Sequence, residues 1–219
     1  SRQTKDGLAP GLTPEDILSY IPAVKNVCEV QTKQVCNLDS TNVTPEHWKM
    51  MVKAVEDNYA YYDGFVICHG TDTLAYTAAA LSYMIQNSAK PIVVTGAQKP
   101  INMDVTDAKT NLLDSFIYAA DDDSQGVNLV FDGKVIVGTR AKSYNAFSSI
   151  NFPYLAVIQD GILVRYIPEI PCRHAVKFYY DMKDSVYVLK LIPGMKPDIL
   201  SYLFEHYDCL VIESFGVGG

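Results

Sequence analysis

Two periods of hydrophobic residues alternate along this chain. Residues 64–68 (GFVIC) and 91–96 (PIVVTG) are short apolar runs, the pattern of strands buried on both faces of a parallel sheet. Around them the period is 3.6. NVTPEHWKMMVKAVEDNY sets Trp48, Met51, Val52, Val55 and Tyr59 on one helical face, opened by Thr44 and Pro45. LAYTAAALSYMIQ does the same with Leu74, Thr77, Ala78, Leu81, Met84 and Ile85. AKTNLLDSFIYAA predicts another helix, ended by Asp121, Asp122 and Asp123. LTPEDILSYIP predicts a short helix capped by Thr13, with Pro14 in its first turn. KNVCEVQTKQVC, residues 25–36, predicts a strand with a polar end, and VNLVFDGKVIVG predicts two strands joined by Asp132-Gly133.

Strands alternating with helices predict an α/β fold, a doubly wound parallel sheet covered on both faces. Such sheets bind ligands beyond the C-terminal ends of their strands, which directs attention to the residues after GFVIC and PIVVTG. Residues 1–157 are expected to form this large domain. Residues 158–184, with prolines, charge and hairpin-like alternation, suit a linker. From 185 to 219, VYVLKL, KPDILSYLFEHY and CLVIESFG predict a second strand–helix–strand unit. One such unit cannot bury its own faces, so a smaller, incomplete α/β C-terminal domain is expected.

The composition narrows the classes. In 219 residues, 18 are basic and 25 acidic, giving net charge −7 with no Lys/Arg block. A nucleic-acid groove or an anionic membrane surface is a poor fit. No apolar run has the roughly 18 residues of a membrane span, and SRQTKDGLAPG is not a signal peptide. Five cysteines (Cys28, Cys36, Cys68, Cys172, Cys209), without a CxxC, suit reduced thiols in a cytosolic protein better than a metal site or disulfide framework. The absence of GxGxxG, Walker A and HExxH patterns leaves a nucleotide cofactor or metal unsupported.

Three polar clusters are placed for chemistry. In His69-Gly70-Thr71-Asp72-Thr73, Gly70 permits a sharp turn between strand and helix. There Thr71 offers a hydroxyl that can attack or orient water, and Asp72 a carboxylate for a substrate ammonium group. The bland alternative is that Thr or Asp merely caps the helix. Asp39-Ser40-Thr41-Asn42 either faces the same edge, with Ser40 bonding a substrate carboxylate, or is a polar loop before Thr44. Thr95-Gly96-Ala97-Gln98-Lys99-Pro100 either offers backbone groups or is a plain strand-end turn. Lys99, Arg140 and Lys142 are basic residues near this edge, where a desolvated amine can act as a base. His69, directly after a buried strand, reads best as a structural histidine, and Trp48 as core.

Together these blocks resemble a known family. YDGFVICHGTDTLAYTAAALSYMI resembles the second signature of the L-asparaginases, and KPIVVTGAQKP the strand and turn that follow it. DSTNVTPEHW, AFSSINFPYL and IESFGVGG fall in the family's order, and the details look most like its cytoplasmic, type I branch. The resemblance implies hydrolysis of L-asparagine to L-aspartate and ammonia, without metal or cofactor, by a homodimer or homotetramer. It places Thr71 in a Thr–Lys–Asp relay and Asp72 on the substrate α-ammonium group. Ser40 and Thr41 fall on the α-carboxylate and amino end, and the Ala97 backbone on the amide pocket.

The chain departs from the family pattern in four places. The family's TGGTI block, whose threonine is the primary nucleophile, would stand before Ser1. Leu8 stands where some members carry a tyrosine. The catalytic lysine stands nine residues before the phenylalanine of the AFSS-like block in the family; here that position is Gly138, and Lys142 is five before Phe147. Lys142 is the candidate, either as that lysine in a shortened loop or as a neighbour flanking a deletion. The chain also ends before most of the expected second domain. Three competitors stand beside the asparaginase reading: the amidase-like component of a tRNA-dependent amidotransferase, a glutaminase–asparaginase taking L-glutamine as well, and a non-catalytic amino-acid-binding relative.

Overall fold

Thr13 caps the first helix, as its place in the sequence dictates. Its hydroxyl accepts from the Asp16 N–H at 3.1 Å, and the Asp16 carboxylate accepts from the Thr13 N–H at 3.0 Å. This reciprocal box starts α1 at Pro14–Ser19. The computed structural model describes the backbone of residues 2–4 and 7–9, and residues 11–143 and 146–216 in full. Ser1, Tyr144, Asn145 and the last three glycine-rich positions, 217–219, lie outside the described residues, as does the side chain of Leu8. A hairpin of β1 (Arg2–Thr4) and β2 (Gly7–Ala9) precedes α1.

The expected helices form. α2 (Pro45–Asn58) starts at Thr44 and buries Met51, Val52 and Val55. After β3 (Phe65–Cys68) comes α3 (Leu74–Met84), which buries Leu74, Thr77, Ala78, Leu81 and Met84. The last two residues of that periodic run are extended instead, as β4 (Ile85–Gln86), which pairs with β12 (Lys177–Phe178). β5 (Pro91–Thr95) is buried at every position, and α4 (Ala108–Ala119) then leads to β6 (Gly126–Phe131).

β3, β5 and β6 are parallel neighbours, with Val66 opposite Val93 and Val93 opposite Asn128. Val93 packs with Tyr118 of α4. The opposite face carries Gly96 and Gly138, which touch α3: a Cβ on Gly138 would lie 2.8 Å from the Ala78 carbonyl oxygen, and one on Gly96 3.5 Å from Leu74. Both crossovers step the same way through the sheet, yet their helices cover opposite faces. They are therefore of opposite hand, and one is the uncommon left-handed kind.

The rest of the main sheet adds antiparallel strands to the expected parallel core, beginning with the expected Asp132-Gly133 hairpin. The six-stranded order is β11-β10-β7-β6-β5-β3, in which β7 (Lys134–Val137), β10 (Ala156–Gln159) and β11 (Ile162–Arg165) run antiparallel to their neighbours. Two-residue turns force this, since tight turns join only antiparallel strands. Asp132 and Gly133 both have positive φ, as do Asp160 and Gly161. The β10–β11 hairpin thus lies in the sheet, within a segment whose prolines and charge suggest a linker from 158 onward. The Asp160-Gly161 pair is the local signal that marks it as a hairpin.

The strand expected over 25–36 does not form. Residues 22–26 make a 3-10 turn (Pro22–Asn26), and the chain then runs irregularly to Asp39. A strand needs a ladder partner. The outer edge of β3 has none among the described residues, and residues 27–38 line a groove together with Phe65, Val66, Ile67 and Cys68 without pairing to them.

β8 (Ala141–Ser143) and β9 (Phe147–Ser149) form a separate hairpin. The buried Phe147 ring meets Phe131 edge-on at 4.9 Å. The chain divides into two compact units, residues 1–180 and 181–219. In the second, β13 (Val186–Lys190) and β14 (Cys209–Glu213) pair in parallel around the crossover helix α5 (Asp198–His206), burying Leu189 and Leu203.

Candidate active site

The turn after β3 and the short 3-10 turn Ser40–Asn42 are bolted together. The buried Ser40 hydroxyl donates to Asp72 Oδ2 at 2.9 Å, and the Thr73 hydroxyl donates to the Ser40 carbonyl at 2.7 Å. The approach is close enough to require glycine. A Cβ on Gly70 would stand 2.5 Å from Ser40 Oγ and 2.7 Å from Ser40 Cβ. The capping alternative for this segment fails, because Thr73 holds the N-cap position of α3 without a side-chain cap bond. Asp72 is oriented by Ser40, and its other oxygen stays available on an exposed side chain.

Thr71 stands between Gly70 and Asp72 on the wall of the same groove. Its hydroxyl and N–H have no hydrogen-bond partner among the described residues, so both are available to a ligand. Ala97 also lines the groove, in the turn after β5. That turn is held by a carboxylate outside the three polar clusters of the sequence: Asp107 accepts from the Gln98 N–H at 2.8 Å and the Lys99 N–H at 3.0 Å. Its position just before α4 reads as a helix cap, but the side chain caps the neighbouring turn. The turns after β3 and β5 touch at Gly96, where a Cβ would lie 2.5 Å from the His69 carbonyl oxygen, and the His69 N–H donates to the Thr95 carbonyl at 2.8 Å.

Ser40, Thr71, Asp72 and Ala97 therefore line the same groove. Thr41 and Lys142 do not line it. The Thr41 hydroxyl and N–H both donate to Asp39 Oδ1, at 2.7 and 2.9 Å, and this pulls the exposed Asp39 carboxyl below its usual range. Lys142 sits on β8, opposite Ser148. Of the other basic candidates, Lys99 lines the groove, whereas the Arg140 guanidinium stacks over the Phe152 ring at 6.0 Å. His69 is structural in its immediate contacts: Nδ1 lies 2.7 Å from the Gly70 carbonyl and Nε2 3.0 Å from Thr77 Oγ1. Burial pushes its pKa down, against the opposing pull of the Gly70 carbonyl.

A carboxylate held by a serine, a hydroxyl without a partner among the described residues and a backbone turn thus meet at the ligand edge of the sheet. A family model described as Asparaginase, N-terminal, matches residues 1–170. The chain belongs to the asparaginase family. Within that family it is 36% identical over 226 residues to the L-asparaginase of Thermococcus kodakarensis, a match covering 100% of this chain and 68% of that protein. The solved structure of the thermostable L-asparaginase from Thermococcus kodakarensis superposes with TM-score 0.89 at 33% identity, again over 100% of this chain and 68% of the other. L-asparaginase 1 of Escherichia coli is 35% identical over 190 residues, 83% of this chain and 56% of that one. A glutamyl-tRNA(Gln) amidotransferase polypeptide of Methanosphaera stadtmanae is 34% identical over 229 residues, 95% of this chain and 51% of that one. The chain thus spans between about half and two thirds of the length of these relatives. Asparaginase-family membership accounts for the α/β sheet. Among the described residues no helix is long and apolar enough to cross a membrane.

Proposed function

We propose that this chain carries the hydrolytic site of an L-asparaginase, converting L-asparagine to L-aspartate and ammonia. The observation that carries the reading is the Ser40–Asp72 hydrogen bond beside the unpartnered Thr71 hydroxyl. Asp72 takes the substrate α-ammonium group. Ser40 gives its one hydroxyl proton to that carboxylate and so serves the substrate's amino end through Asp72, with Thr41 on the adjoining turn. The side-chain amide then points at Thr71, with the Ala97 backbone at its carbonyl oxygen. In this reading Thr71, Lys142 and Asp72 form the relay that activates the oxygen nucleophile. The threonine oxygen adds to the amide carbon, the C–N bond breaks, and the nitrogen leaves as ammonia with the proton that the hydroxyl gave up. A water then adds to the resulting acyl ester, the ester C–O bond breaks, and L-aspartate leaves with the threonine hydroxyl restored. Lys142 lies on β8, which packs against α3, the helix that follows Thr71, and the reading requires its amine to come to Thr71 from there. No metal or organic cofactor enters the scheme. The similarity to L-asparaginase 1 supports a type I enzyme, and the reading takes it as cytoplasmic and as a homodimer or homotetramer.

Ammonia release tests this. The reading requires turnover of L-asparagine by the protein and a loss of at least about 100-fold in kcat/KM on Asp72→Asn, the scale of a charge pair that the bound substrate shields from water. Binding of L-aspartate without any ammonia release makes the chain an amino-acid-binding relative. The similarity to the glutamyl-tRNA(Gln) amidotransferase favours a second reading, an amidase that feeds ammonia to a partner enzyme. It requires turnover that rises when a tRNA-dependent partner is present. L-Glutamine differs from L-asparagine by one methylene, a difference worth about 1–3 kcal/mol at such a site, so the two substrates are assayed side by side.

A further inference from the structure

The only tryptophan in the chain is linked to the candidate site by an unbroken line of hydrogen bonds. Trp48, on α2, donates its indole N–H to Thr77 Oγ1 at 2.9 Å. Thr77, on α3, is fully buried, and its Oγ1 lies 3.0 Å from His69 Nε2. His69 Nδ1 lies 2.7 Å from the Gly70 carbonyl oxygen.

The chemistry of the two ends fixes the direction of every proton. An indole nitrogen only donates, and a carbonyl oxygen only accepts. Thr77 Oγ1 therefore accepts from Trp48 and has its own proton left to give. His69 must donate from Nδ1 to Gly70, and burial keeps the ring neutral, so Nε2 carries a lone pair facing the Thr77 hydroxyl. The Gly70–Thr71 peptide is planar and trans, so its N–H points opposite to its carbonyl. Anchoring the Gly70 carbonyl on the His69 ring thereby aims the Thr71 N–H away from the ring, and fixes the start of the turn that carries Thr71 and Asp72.

We propose that His69 and Thr77 are positioning residues for the reaction: the Trp48–Thr77–His69 chain fixes the Nδ1–H ring in place and, through the Gly70 carbonyl, holds the Thr71 peptide and hydroxyl in register with the substrate amide. This rests on the asparaginase reading for its catalytic consequence, but not for the tautomer. The residues that bind the amino-acid end, Ser40 and Asp72, are held by their own bond, so loss of the relay falls on turnover and not on binding.

The test pairs imidazole ¹⁵N NMR with steady-state kinetics on three proteins: the unsubstituted chain, Thr77→Val and Thr77→Ser. Valine keeps the shape and removes the hydroxyl; serine restores it. His47 is an internal reference of opposite tautomer, because its Nδ1 accepts from the Thr44 N–H at 3.1 Å. The expected result is His69 with its proton on Nδ1 in all three proteins, because the Gly70 carbonyl can only accept, and an Nε2 resonance that loses its hydrogen-bond shift in Thr77→Val and regains it in Thr77→Ser. With it, kcat of Thr77→Val falls about 10-fold or more while KM stays within about threefold, and Thr77→Ser stays within about twofold of the parent on both. A proton on Nε2 in the unsubstituted protein overturns the inference, as does a Thr77→Val protein with unchanged kcat, or one whose KM alone rises. An unsubstituted protein without any ammonia release removes the asparaginase reading instead, and the tautomer then decides the relay by itself.

Discussion

Ser40 and Asp72 stand 32 residues apart in the chain and 2.9 Å apart at the groove, with the serine hydroxyl donating to the carboxylate. Ser40 is buried and Asp72 is exposed, so the bond fixes the direction of a carboxylate that solvent would otherwise leave free to rotate. Ser40→Ala removes the donor without disturbing the backbone. The expected outcome is a rise in KM for L-asparagine of roughly 5- to 30-fold, the equivalent of about 1–2 kcal/mol for a hydrogen bond to a charged group, with a smaller change in kcat. An unchanged KM in steady-state kinetics would separate Ser40 from the binding of the amino-acid end.

Gly96 lets the turn after β5 pass the turn after β3. A methyl group there meets the His69 carbonyl oxygen at 2.5 Å, a backbone atom that cannot swing aside. Gly96→Ala should cost about 2 kcal/mol or more in urea denaturation, and it should lower activity as well, because the displaced backbone leads straight into His69 and Gly70.

Two Asp-Gly turns in the main sheet allow a cleaner comparison. Gly133 and Gly161 have nearly the same positive φ, 67° and 75°. A Cβ on Gly133 would meet the Ile158 carbonyl oxygen at 2.8 Å, whereas one on Gly161 meets nothing within 4 Å. Gly161→Ala therefore carries only the conformational cost, about 1 kcal/mol. Gly133→Ala adds a clash and should be the more destabilising by about 1–2 kcal/mol. Equal denaturation midpoints for the two variants would contradict this.

Asp114 lies on the buried side of α4, and burial raises its pKa to about 6. The folded state thus holds this proton more tightly than the unfolded chain does. The stabilisation from the protonated form is complete below the unfolded value near 4 and is lost as pH rises through about 6. Asp114→Asn removes the ionisation. Relative to the parent, it should gain about 2 kcal/mol of stability between pH 4 and pH 8, read as the pH dependence of the difference in unfolding free energy. A difference that does not move with pH would show that the carboxyl ionises as freely in the folded protein as outside it.

Local physics makes much of this fold readable. Thr13 and Asp16 announce α1 because capping needs only residues three apart, and the helical faces of α2 and α3 follow from period alone. PIVVTG reads as a fully buried strand because both its faces are apolar, and it is one. HGTDT and its neighbours point to the ligand edge because strand–turn–helix order places them at the C-terminal end of a strand. Residues 25–36 mislead for the complementary reason. Their composition is that of a strand, but a strand exists only where a ladder partner is in reach, and the partner is not a local property.

Elements whose causes lie within one turn of chain are written in the residues themselves: caps, amphipathic faces, Asp-Gly hairpins, and the clustering of Thr71 with Asp72. The family likeness is written there too, and it names the candidate residues in order. Which of them meet is a matter of the folded chain. Folding sets Ser40 on Asp72, turns the Thr41 hydroxyl back to Asp39, uses Asp107 to hold the turn after β5, and joins Trp48 to Gly70 through Thr77 and His69. Hydrogen bonds require heavy atoms within about 3 Å. Segments tens of residues apart are brought that close only by burying the helices and strands between them, a global balance of packing that no short window of sequence contains.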